Sequence, residues 1–190
     1  MEARRLRLDF LIALCALLVS AVTAIAVVYQ TRVIANQFSA AVWPYVSFDA
    51  TYSPTVAEVD VRNDGLGPAI VRGVKLTWDG KPQPSIEALF ATIGRHDAAA
   101  MASIRAALRA GQTMRVTTST PTAGMVIPAN SQHTIVRVEG ALLVERFRPE
   151  LSRFGLSLCY CSLTGSCWTQ SYQNRAAEPR SVSTCSSSEN

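Results

Sequence analysis

Three cysteines fall within ten residues in "CYCSLTGSCW", Cys159, Cys161 and Cys167, with Cys185 following near the C-terminus and Cys15 far away near the N-terminus. Thiols at this spacing could do one of three things. They could exchange with other disulfides as thiolates, hold a metal ion, or close covalent loops. The two histidines do not support a metal centre, because His96 falls in an expected turn between helices and His133 at a strand start, without ligand spacing to the cysteines. No metal is therefore expected. An exchange centre at Cys159 and Cys161 is chemically reasonable, but no strand-helix-strand pattern of the thioredoxin kind surrounds it. Which outcome holds depends on the compartment, which the other end of the chain decides.

From Phe10 to Tyr29 the sequence "FLIALCALLVSAVTAIAVVY" carries no charge. At 1.5 Å per residue this span matches the roughly 30 Å hydrocarbon core of a bilayer. Arg4, Arg5 and Arg7 precede it and only Arg32 follows closely. That bias keeps the N-terminus in the cytoplasm and exports the rest. Ala24-Ile25-Ala26 would suit a signal peptidase, but the apolar run continues past the ordinary length of a cleaved segment, which favours an uncleaved anchor. Ala16, Ser20 and Ala24 place small side chains on one helix face, as close helix packing requires. Ser20 and Thr23 can satisfy their hydroxyls on their own helix. Residues 1–9 then form a cytoplasmic arm, 10–29 the anchor and 30–44 a juxtamembrane connector. Trp43 and Tyr45 suit a membrane interface or the first packing contacts of the domain.

About 160 residues remain outside the anchor, enough for one domain with its own core. Residues 33–190 carry 14 Lys or Arg against 12 Asp or Glu, a balance of +2. No nucleic-acid partner is expected from so even a distribution. Period-two alternation in "YVSFDATY", "VAEVDV" and "AIVRGVKLTW" predicts antiparallel, half-buried strands, with turns at Asn63-Asp64-Gly65 and Asp79-Gly80. Both turns contain residues that tolerate positive φ. A helical insertion at about 85–110 follows, with Ser85 and Asp97 as candidate caps and Gly111 as a stop. Met101, Ile104 and Leu108 form an apolar stripe expected to face the core. Strands resume at Thr113–Thr120 and His133–Glu139. Leu142–Leu151 fits either a short helix or a bent strand. A hairpin spans Phe154–Tyr172, and 174–190 reads as a mobile polar tail. The pattern predicts an immunoglobulin-like antiparallel β-sandwich over 45–173, carrying the helical insertion.

The hairpin fixes the direction of the sulfurs. With Leu163-Thr164-Gly165 as a three-residue loop and Gly165 left-handed, Ser162 pairs with Ser166 and Cys161 lies opposite Cys167. Cys159, two residues back, faces the same side. Four exported cysteines allow three connectivities, of which Cys161 with Cys167 and Cys159 with Cys185 is favoured. Cys15 reads as a small apolar residue in lipid.

Other chemistry finds no residues to carry it. The sequence has no nucleophile elbow, P-loop or dinucleotide fingerprint, so neither a catalytic set nor a cofactor is expected. Asp60 and Asp64 flank a turn and could offer oxygens to calcium, although a solvated loop explains them as well. The combination of "WPY" beyond an N-terminal anchor, "NDGLGPA" and "CYCSLTGSCW" resembles a group of uncharacterised bacterial membrane-anchored proteins, and the resemblance implies no activity. The expected function is a membrane-tethered extracytoplasmic binding or structural module, an accessory subunit with a protein partner in or at the inner membrane. A thiol-disulfide exchange protein using Cys159 and Cys161 is the alternative.

Overall fold

Between Glu2 and Ala41 there is neither a glycine nor a proline, and helix α1 (Glu2–Ala41) runs unbroken through the whole stretch. It stops shortly before Pro44, whose ring disfavours helical conformation in the preceding residue. The connector expected over 30–44 is thus mostly helix: "QTRVIANQFSAA" contains no breaker, and nothing in it ends the helix at the last residue of the apolar run. The segment Phe10–Ala41 is long and apolar enough to cross a membrane. Ser20 Oγ donates to the Ala16 carbonyl and Thr23 Oγ1 to that of Val19, both at 2.8 Å, so each hydroxyl is satisfied four residues back. This computed structural model describes residues 2–96 and 98–185, and the chain divides into compact units between Ala41 and Val42.

The second unit is β-rich. Its strands are β1 (Val46–Tyr52), β2 (Val56–Asn63), β3 (Ala69–Trp78), β4 (Lys81–Pro82), β5 (Arg115–Thr118), β6 (Val126–Ile127), β7 (Ser131–Glu139), β8 (Phe154–Cys161), β9 (Cys167–Ser171) and β10 (Arg180–Val182). They form two antiparallel sheets. One has the order β1-β2-β7-β5; the other runs β10-β9-β8-β3-β4, with β6 also on β3. Alternation has the expected consequence. Val46 and Phe48 of the first sheet and Val71, Leu156, Leu158 and Tyr160 of the second are buried in one shared core. Two tyrosines bridge the sheets: Tyr160 Oη accepts a hydrogen bond from Val46 N at 3.2 Å, and the Tyr172 ring meets Phe48 edge-on at 6.2 Å.

Helices α2 (Ile86–His96) and α3 (Ala98–Arg109) fill the predicted insertion. Ser85 caps α2 by accepting from Ala88 N, Gly111 ends α3 at φ +83°, and Asp97 lies outside the described residues. The ambiguous segment before β8 is helix α4 (Ala141–Glu150), tied to α2 by stacked Phe90 and Phe147. The expected stripe on α3 is not core: Met101 and Ile104 are half-buried and Leu108 is 48 % exposed. α2 carries the insertion's fully buried side chains, Ile86 and Leu89, so α3 needs only a partial apolar face. The tail also departs from expectation. Residues 174–182 include the end of a 3-10 turn (Tyr172–Asn174) and strand β10, because β9 leaves a free edge on which Arg180–Val182 pair. Residues 186–190 lie outside the described part.

Candidate functional site

The cysteines lie on the face of the second sheet that points away from the core. On β8, Leu156, Leu158 and Tyr160 turn inward, which sends Ser157, Cys159 and Cys161 outward. Gly165 takes φ +86°, Ser162 N donates to Ser166 O at 2.8 Å, and Cys161 pairs in register with Cys167, as the loop chemistry requires. The sulfurs of Cys161 and Cys167 are 2.10 Å apart and those of Cys159 and Cys185 are 1.98 Å apart, both at disulfide distance. Beyond β10 the chain turns over this face to deliver Cys185. Cys161 and Cys167 are each only 7 % exposed, whereas Cys159 and Cys185 are half-buried.

A groove of about 640 Å³ opens beside Cys159 on the same face. Arg72 and Lys75 from β3, Ser157 from β8, Thr169 from β9 and Arg180 from β10 line it, and Glu178 is its one carboxylate. Arg72, Lys75 and Arg180 are exposed, and none has an ion-pair partner among the described residues. A β-bulge explains part of this arrangement. Register shifts between Val71 and Gly73, so Arg72 and Lys75, three apart, can both line one groove where a regular strand would send them to opposite faces. Strict alternation therefore conceals the cationic groove from the sequence.

A second constellation gathers two of the quoted motifs. Asn63, fully buried at the end of β2, accepts through Oδ1 from Tyr45 N and Gly65 N, both at 3.1 Å, and donates through Nδ2 to Gly67 O at 2.8 Å and Ile127 O at 3.0 Å. Trp43 O accepts from Leu66 N and Gly67 N, and Tyr45 O from Asp64 N. The glycines here serve close approach rather than positive φ. A Cβ at Gly65 would lie 2.3 Å from Tyr45 N, and one at Gly67 would lie 2.0 Å from Val42 O. This corrects the reading of Asn63-Asp64-Gly65 as a left-handed turn, since none of the three has positive φ. The residue types are those of a turn, but the backbone contacts that demand them come from the distant segment 42–45 that leads into β1.

The other singled-out residues disperse. Trp43 and Tyr45 meet edge-on at 5.5 Å, with Trp43 43 % exposed and Tyr45 half-buried. Ala16, Ser20 and Ala24 are all exposed along α1, as is Cys15, the one free cysteine among the described residues. Asp64 accepts from Ser47 Oγ at 2.7 Å and pairs with Arg62, while Asp60 is buried on β2 opposite Asp49. Burial pushes the Asp60 carboxyl above its ordinary range, and its Oδ1 has no hydrogen-bond partner. Among the described residues these carboxylates join no cluster of three or more potential metal ligands. The one such cluster is Cys161, Cys167 and Cys185. His133 instead shares a hydrogen bond with Ser119 Oγ at 2.8 Å.

No family model matches this chain, and neither a curated protein nor a solved structure is significantly similar to it.

Proposed function

We propose that this chain is a membrane-tethered extracytoplasmic binding module, an accessory subunit that presents the Arg72–Lys75–Arg180 groove to an acidic segment of a protein partner. The observation that carries the reading is the groove itself, with three unpaired cations against one carboxylate and hydroxyls on both walls. α1 would cross the inner membrane with its N-terminus in the cytoplasm, a reading supported by its apolar span and by the bias of Arg4, Arg5 and Arg7. The domain would then lie outside, where oxidised cysteines persist.

Strand order supports an immunoglobulin-like sandwich for that domain. The order β1-β2-β7-β5 opposite β3-β8-β9 corresponds to the ABED and CFG sheets of a constant-type domain, with α2 and α3 inserted between C and D. The B–F disulfide of antibodies is replaced by sulfurs on the F and G strands. Such a framework offers a rigid sheet face on which to place charges.

The test is site-specific photocrosslinking in membranes from Thr169 in the groove and, as a control, from Glu87 on α2. Crosslinks from Thr169 that disappear in R72E/K75E and weaken with salt are expected for an electrostatic groove. Equal crosslinking from both sites, or indifference to the charge reversal, would overturn the reading. A second reading, thiol-disulfide exchange at Cys159 and Cys161, is favoured by one observation: Cys159 lines the open groove, within reach of an incoming thiol.

A further inference from the structure

The two disulfides touch. Cys161 Sγ lies 3.8 Å from Cys185 Sγ, and the sulfurs of Cys161, Cys167 and Cys185 all fall within 4.8 Å of one another. Their accessibility differs: the Cys161–Cys167 pair is buried, while Cys159 borders the groove. Cys185 is also only three residues beyond the end of β10, on chain that belongs to no strand or helix. From this geometry we infer that the cysteines form a relay, in which Cys185 carries reducing equivalents from the accessible disulfide to the buried one.

The electrons balance in three displacements. A thiolate of an external dithiol attacks Cys159 Sγ through the groove, the Cys159–Cys185 bond breaks, and Cys185 leaves as a thiolate. The second thiol of the reagent gives its proton to water and attacks the mixed disulfide, releasing Cys159 and an oxidised reagent. The Cys185 thiolate then attacks Cys161 Sγ, forming a Cys161–Cys185 bond and expelling Cys167, which takes up a proton. Two electrons have entered, and the protein holds one new disulfide and thiols at Cys159 and Cys167. The last step ties the tail again, now to the hairpin's own Cys161.

This relay refines the exchange reading, because the sulfurs that communicate are Cys161 and Cys185 rather than Cys159 and Cys161. Its central step needs no external reductant if Cys185 is already free, which separates the two ideas experimentally. In full-length C159S, purified in nanodiscs, alkylation and peptide mapping at pH 8 should find a Cys161–Cys185 linked peptide and a Cys167 open to alkylation. The rate of its appearance should rise about tenfold per pH unit below the thiol pKa, because the thiolate is the nucleophile. An intact Cys161–Cys167 pair with Cys185 still alkylatable after a day would overturn the relay. Wild type treated with substoichiometric dithiothreitol guards against a folding defect in the variant. A one-disulfide species linked Cys161–Cys185 supports the relay, and one linked Cys161–Cys167 with the other two thiols free overturns it. If wild type resists dithiothreitol altogether, external exchange fails while C159S still decides the relay.

Discussion

At the scale of single residues, Asn63 bears the heaviest demand. Its side-chain amide satisfies two backbone donors and two backbone acceptors in a site with no exposure to solvent. Removing it strands all four, and a buried polar group without a partner costs about 1–3 kcal/mol. Asn63→Ala is therefore expected to destabilise the domain by about 3 kcal/mol, after some relaxation, measured as a shift in the urea midpoint at unchanged slope. A loss under ~1 kcal/mol would mean that water replaces the amide. The asparagine was legible in the sequence only as a turn former. What it does depends on Tyr45 and Ile127, eighteen and sixty-four residues away, and local spacing carries no trace of either. Cys161 is the opposite case, since hairpin arithmetic places it against Cys167 without reference to any distant residue.

Among the elements, the β8–β9 hairpin and the strand that follows it respond differently to reduction. The Cys161–Cys167 link closes a loop with a sequence separation of 6, the Cys159–Cys185 link one of 26. On loop entropy, the first contributes about 2.2 kcal/mol and the second about 3.5 kcal/mol. Denaturant melts of C161S/C167S and C159S/C185S should rank in that order, with the second pair the costlier loss. The reverse ranking would mean that β10 holds the tail unaided. The hairpin and both insertion helices were legible because their signals are local: a left-handed glycine, a serine cap and a helical apolar period. β10 was not. "PRSV" lacks any strand pattern of its own, and it pairs only because β9 presents an open edge. The extension of α1 to Ala41 escaped for another reason, since hydropathy marks where a membrane span ends and not where a helix does.

Across the whole molecule, two phenols span the joint between the sheets. Burial pushes the Tyr160 hydroxyl up to about 12. Tyr172 is raised as well, first by burial and then by its hydrogen bond with Tyr52. Both ionise harder in the folded chain than in the unfolded one, where a tyrosine titrates near 10. Their contribution is complete below about pH 10 and declines as pH rises through 12, at roughly 1.4 kcal/mol per pH unit for each phenol. Denaturation midpoints followed by circular dichroism should hold steady from pH 8 to about 10 and then fall, and Tyr160→Phe should flatten the fall. A stability that is indifferent to alkali would mean that the phenols reach water in the folded state. Tyr160 follows the alternation of β8, whereas Tyr172 lies on the 3-10 turn beyond β9, where no strand period could place its ring between the sheets.

The Asn63 constellation also has a mechanical meaning. Val42, the first residue after α1, contacts the Gly67 backbone, and Trp43 and Tyr45 are bonded to the Asn63–Gly67 segment before the first ladder pair of β1 is reached. Any pull on the chain ahead of β1 is borne by these bonds before it reaches the strand itself. These hydrogen bonds work as a strain relief, keeping load on the preceding chain from peeling β1 off the sheet.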